Sequence, residues 1–211
     1  MNRLLLNYGF ENDNAANPDG ELEAQFINGT FASADVHLKG WSAITKVAVF
    51  EKNTLMLAPT PVELPDADAF MVELALRHPE PLLESEMLLS AALPPISLVL
   101  EPAASGAAIV AQILSSSGWI RCRAEINIIE WITISFVFNS KEIVLLCNGK
   151  VAARQSLSGA YLVGGECRGP LFIGTGVDEQ HAGLNGMVGG IRVFSGIPED
   201  TSALIQEIRA A

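Results

Sequence analysis

Two glutamates raise the question of chemistry first. Glu125 and Glu130 bracket the segment Glu-Ile-Asn-Ile-Ile-Glu. Retaining glycoside hydrolysis needs two carboxyl groups ~5–5.5 Å apart, one as nucleophile and one as general acid/base. Along a regular strand side chains alternate between faces, so Glu125 would share a face with Asn127 and Glu130 would point the other way. Bringing the two carboxyls together would take a bulge at Ile128 and Ile129. Trp131 and an alternating apolar run follow at once. The simpler expectation is a strand edge with two solvated glutamates, and no catalytic residue is expected.

A second polar set crowds residues 175–186. Asp178, Glu179, Gln180, His181 and Asn185 offer donors and acceptors suited to sugar hydroxyls or to calcium. Loops at the rim of a β scaffold are where binding residues concentrate, so this loop is the leading binding segment, against the plainer reading of a solvated hairpin loop. Trp41 and Trp119 could stack on a sugar ring, although aromatics make up only 7% of the chain, too few for a broad platform. Residues 11–20 carry carboxylates and amides but lack the alternating spacing of an EF-hand loop. His37, His78 and His181 stand apart, without an H-x-x-x-H pair or a G-x-S-x-G elbow, and are expected as loop or surface imidazoles. Cys122, Cys147 and Cys167 show no CxxC spacing, so they form neither a disulfide framework nor a zinc site. Three reduced, partly buried thiols are expected; the alternative is a Cys147–Cys167 disulfide with Cys122 free. No cofactor is expected, calcium being the one ion these oxygens would suit.

The elements that must position these residues are strands. The chain has 211 residues, enough for one sizeable core and one domain over residues 1–211. Mean hydropathy is +0.32, yet no apolar run approaches the ~18 residues a membrane span needs. The excess points to strands buried on both faces, or to an apolar patch covered by a partner, including a second copy of the chain. Net charge is −11, which sets nucleic acid and anionic membranes aside as partners. The apolar run at Leu4, Leu5 and Leu6 is too short for a leader and lacks a cleavage site, so it reads as a first strand. If the chain is complete, a cytoplasmic location is expected.

Strand-like runs lie at 44–57, as two short pieces around Glu51-Lys52-Asn53, at 69–76, and at 96–100, 107–114 and 119–128, the last three bounded by Pro, Gly or Ser. A loop is expected at 79–87, with a helical turn at 82–87. Ile132, Ile134, Phe136 and Phe138 alternate with Thr133, Ser135 and Val137; Asn148-Gly149 is a strong type I′ hairpin signal. Only residues 199–209 look helical, capped by Asp200 or Thr201, with Leu204, Ile205 and Ile208 as the apolar face. The fold class is therefore all-β: an antiparallel two-sheet sandwich with a short C-terminal helix.

The ordered series of Trp131, LLCNGKVAA, LFIGTG and LNGMVGGIRVFSG resembles laminin-G-like domains of the concanavalin A-like lectin/glucanase superfamily. The resemblance implies a jelly roll and a leaning toward binding a glycan or a protein surface. Many such domains are extracellular. It also implies that Trp131 is core and that Cys147 takes a core valine position. Two departures stand out: Leu184 replaces a frequent Phe, and Gly189-Gly190 replaces a pair that usually carries an acidic residue. EINIIE resembles the E-x-D-x-x-E signature of β-glucanases in the same superfamily, with Asn127 where those enzymes have Asp. The function expected is a non-catalytic, lectin-like binding module. The alternatives are an assembly protein that oligomerises through an apolar sheet face, and a degenerate or active glucanase.

Overall fold

The computed structural model describes residues 3–10, 24–58, 69–92, 95–104, 106–157, 170–175 and 181–210. Sixteen strands and one helix lie among them. In chain order the strands are β1 (Arg3–Tyr8), β2 (Gln25–Ile27), β3 (Thr30–Val36), β4 (Ile44–Phe50), β5 (Leu55–Ala58), β6 (Ala69–Arg77), β7 (Glu86–Ala92) and β8 (Pro95–Ala103). They continue with β9 (Gly106–Ser115), β10 (Gly118–Ile126), β11 (Ile132–Asn139), β12 (Glu142–Cys147), β13 (Lys150–Ser156), β14 (Leu171–Ile173), β15 (Ala182–Gly183) and β16 (Gly186–Ser195). The helix α1 is Glu199–Ala210.

The strands form two sheets of eight. Sheet I runs β13-β12-β11-β6-β16-β4-β3, with β1 added against β16; sheet II runs β10-β9-β8-β7-β14-β5-β2, with β15 beside β7. Pairing is antiparallel except between β15 and β7. The expected all-β sandwich with a short helix is what the chain adopts.

Alternation explains the inner faces. Ile132, Ile134, Phe136 and Phe138 enter the main core with Ile143 and Leu145, opposite Leu98, Ile109, Ala111 and Cys122 of sheet II. Turn chemistry sets the register. Asn148 and Gly149 both take positive φ, 50° and 70°, as a type I′ turn requires. Asn139 Oδ1 accepts the Lys141 and Glu142 N–H groups and closes the preceding turn.

The outer face of sheet I is also sealed. At one end Ile205 of α1 covers Met71, Val137, Val144 and Leu146. At the other, Trp41 and Trp131 pack with Val36, Ile44, Val47 and Ala75. Strands buried on both faces account for the high hydropathy without invoking a partner over this face. Trp131 therefore belongs to a satellite cluster outside the sandwich, not to the main core.

Two local expectations change. No helical turn occupies 82–87, because β7 begins at Glu86 and Met87 is already paired with Val99. Its sequence, Glu-Met-Leu-Leu-Ser-Ala-Ala, shows no apolar/polar alternation, because the strand is buried on both faces, and periodicity alone cannot assign it. Neither Asp200 nor Thr201 precedes the helix: α1 starts at Glu199, and Asp200 Oδ1 accepts the Thr201 N–H within its first turn. Of the expected apolar face, Ile205 is buried, while the side chains of Leu204 and Ile208 lie outside the description.

Candidate binding site

A cleft of about 550 Å³ opens at one rim of the sandwich, lined by Asn28, Glu51, Lys52, Asn53, Thr54 and Asn185. Three segments build it. Asn28 sits in the β2–β3 turn at φ 58°, a left-handed conformation that Asn tolerates better than most residues. Residues 51–54 form the β4–β5 turn, closed by the Thr54 N–H on the Glu51 carbonyl. Thr54 Oγ1 accepts the Glu51 N–H and donates to the Asn28 carbonyl, tying the first two segments together.

Asn185 comes from the third segment, the end of the loop singled out in the sequence. Residues 182–184 run beside β7: the Ala182 N–H bonds the Ser85 carbonyl and the Leu184 N–H bonds the Gly174 carbonyl. Gly183 passes so close to the β4–β5 turn that a Cβ there would lie 2.0 Å from the Lys52 carbonyl oxygen. This position needs glycine for close backbone approach. Lys52 Nζ pairs with Glu84 at the mouth, and that pairing raises the lysine pKa.

Behind the rim lies a pair that sequence reasoning missed. His78 is 1% exposed and Glu86 4%, which corrects the expectation of a surface imidazole. His78 Nε2 lies 3.2 Å from Glu86 Oε2, and its Nδ1 lies 2.6 Å from the Glu80 carbonyl oxygen. Glu86 Oε2 also accepts the Asn185 N–H at 2.9 Å. Burial disfavours the imidazolium, but the hydrogen bonds to Glu86 and Glu80 outweigh it and hold the His78 pKa above its ordinary value. No motif joins residues 78, 86 and 185; the pairing of β15 with β7 brings 185 to 86, and His78 reaches Glu86 from just past the end of β6.

The remaining candidates separate. Asp178, Glu179 and Gln180 lie outside the described residues, as do residues 11–20 and Cys167; His181 is partly buried and engaged in polar contact. Glu125 points outward from edge strand β10, 3.6 Å from Arg123, and Glu130 is exposed in the turn after it. The strand ends at Ile126, so the segment is a turn and not a bulged strand. Asn127 Oδ1 accepts the Ile129 N–H and shapes that turn. Cys122 and Cys147 are free thiols, and burial pushes both up to about 11. Among the described residues no three His, Cys, Asp or Glu side chains are grouped to hold a metal, and no helix is long and apolar enough to cross a membrane.

The two candidate stacking residues differ. Arg192 places its guanidinium carbon 3.9 Å from the Trp41 ring centroid, so a face of that indole is already taken. Gly190 makes room for the same ring: a Cβ there would lie 2.6 Å from it. A Cβ at Gly189 would lie 3.3 Å from Trp131. Gly190 thus makes room for Trp41, and Gly189 for Ile44, Ala75 and Trp131 together. Trp119 is 51% exposed on the outer face of β10, five strand steps from β5, or ~24 Å from the cleft at ~4.8 Å per step.

With this geometry the chain compares closely to several solved β-sandwiches. Domain 4 of AbnA, a GH43 extracellular arabinanase from Geobacillus stearothermophilus, in complex with arabinotriose, matches with a TM-score of 0.70 at 16% identity, over 96% of this chain and 98% of that one. The binding domain of botulinum neurotoxin DC in complex with SialylT matches with a TM-score of 0.66 at 10% identity, over 99% of this chain and 52% of that one. The botulinum neurotoxin serotype C1 binding domain gives 0.67 at 8% identity, over 96% and 51%. The likeness is one of fold. The chain spans about half the length of the neurotoxin binding domains. No protein-family model matches the sequence, and no curated protein matches it.

Proposed function

We propose that this chain is a non-catalytic binding module that takes a glycan in the rim cleft. The observation that carries the reading is the cleft's lining: three asparagines, a threonine, a lysine and a glutamate converge from three segments. Amide and ammonium groups in a concave site suit the paired donors and acceptors of sugar hydroxyls. Structural neighbours include an arabinanase domain complexed with arabinotriose and botulinum neurotoxin type C, whose cell entry depends on interaction with two ganglioside molecules. On this reading residues 1–211 form one domain of concanavalin A-like, laminin-G-like type, with Asp178, Glu179, Gln180 and His181 extending the site beyond Asn185. Calcium is an optional addition to that extension.

Arabinotriose, longer arabino-oligosaccharides and gangliosides are the probes. Saturable binding by titration calorimetry, weakened about tenfold in Asn185→Ala or Lys52→Ala, is the expected result, each variant losing a hydrogen bond's worth of affinity. Binding indifferent to both substitutions would move the site elsewhere. β-Glucan is expected to stay intact; release of reducing ends, abolished in Glu125→Gln, would overturn the non-catalytic reading.

A protein surface is the second reading. Leu83 is 91% exposed and Ile129 50%, on neighbouring loops linked where the His78 N–H bonds the Ile128 carbonyl. Exposed aliphatics beside a polar cleft suit a protein partner better than a sugar. Loss of partner binding in Leu83→Ser, with glycan binding unchanged, would favour it. A dimer mass that persists on dilution, with no glycan response, would favour self-assembly.

A further inference from the structure

His78 faces two acceptors. The Glu80 carbonyl stands 2.6 Å from Nδ1 and Glu86 Oε2 stands 3.2 Å from Nε2. A carbonyl oxygen and an ionised carboxylate can only accept. A neutral imidazole carries a single N–H, so it satisfies one of them and turns a lone pair on the other. One further proton, on the ring or on the carboxyl, satisfies both. Burial of the two residues to 1% and 4% exposure keeps water from substituting.

The same carboxylate oxygen holds the Asn185 N–H at 2.9 Å. Asn185 ends the strap of residues 182–185, whose other anchors are the Ser85 and Gly174 carbonyls. On its far side Gly183 is pressed against Lys52, a wall of the cleft. Proton, carboxylate, strap and cleft wall thus form one connected series.

We propose that His78 and Glu86 form a proton-operated latch: with their shared proton in place the strap 182–185 is held against the β4–β5 turn, and loss of that proton releases it. The charged groups acting on the pair are Glu80 of the β6–β7 connection, on His78, and Lys52 of the β4–β5 turn, itself paired with Glu84, on Glu86. The neighbouring Ile128 and Gly186 contribute a carbonyl and a backbone contact without charge. The sign follows from the raised pKa of His78. The latch is closed below the ordinary histidine value of ~6.5 and opens as pH rises through the higher folded value. The latch does not depend on any ligand; its effect on binding rests on the cleft reading above.

The test follows the histidine ring signals and the amide exchange of Ala182, Leu184 and Asn185 in the full chain from pH 5 to 9, corrected for intrinsic exchange. Strap protection is expected to fall at least tenfold with the midpoint of His78, while β9 stays protected. In His78→Gln strap protection should stop tracking pH; in Glu86→Gln His78 should titrate lower and strap protection should likewise stop tracking pH, and this variant carries the test if His78→Gln does not fold. Protection that is flat across the His78 titration, or a pH response that survives in Glu86→Gln, would overturn the proposal. Arabinotriose affinity is expected to follow the same midpoint. If the strap tracks His78 while arabinotriose fails to bind, the latch stands and the cleft reading falls.

Discussion

The outer face of sheet I and the cleft rim use neighbouring stretches of one chain to opposite ends. On the sheet face, polar groups are turned inward on one another: Arg192 stacks on Trp41, donates to the Gly40 carbonyl at 2.7 Å and lies 3.4 Å from Glu73, which in turn accepts from Ser135. Burial pushes the Glu73 carboxyl up, and Arg192 and Ser135 oppose that only in part. At the rim the backbone is fixed by Thr54, Gly183 and Glu86, leaving Asn53, Lys52 and Asn185 on the cleft wall. A tryptophan in a β-sandwich is therefore a poor guide to a ligand until its neighbours are known, whereas a rim whose turns are closed by buried groups can present the rest.

Substitutions that treat the two regions differently sharpen the contrast. The largest effect is expected for Ile205→Ala, which uncovers the α1 end of sheet I. A cost of about 2–5 kcal/mol in urea unfolding follows from the cavity and lost burial, with ligand affinity unchanged. Gly190→Ala drives a methyl into Trp41 and should cost about 1–3 kcal/mol. Combining it with Trp41→Leu should recover part of that loss, since residues in contact couple in a double-mutant cycle. Gly183→Ala must push the strap off the Lys52 carbonyl. It should weaken binding more than it lowers the unfolding midpoint, and equal effects on both would erase the distinction between regions. Asn185→Ala keeps the backbone bond to Glu86, and Trp119→Ala removes an exposed ring. Each should change stability by no more than about 0.5 kcal/mol, and of the two only Asn185→Ala should reduce cleft binding.

Much of the architecture could be read in advance. Ile132 through Phe138 alternate because one face had to enter a core, and Asn148-Gly149 announced its turn because few residue pairs accept positive φ twice. β7 was hidden, since a strand covered on both faces has no period. Of the loop singled out in the sequence, Asn185 does reach the cleft, but its partners there, Asn28 and Asn53, are turn residues with nothing in their local sequence to connect them to it. His78 looked like a loop imidazole because its partner Glu86 arrives through the strand that sequence patterning passed over.

The sequence by itself determined the all-β class, the Asn148-Gly149 hairpin turn and the helix near the C-terminus, because alternation, turn dihedrals and helical period are properties of a few adjacent residues. Tertiary structure alone decided which tryptophan is sealed and which is open, why Gly189 and Gly190 stand where they do, and how residues 78, 86 and 185 come to share one proton-dependent contact. Those outcomes depend on strands far apart in the chain lying side by side, and the energy of a buried charge or a crowded ring exists only once they do.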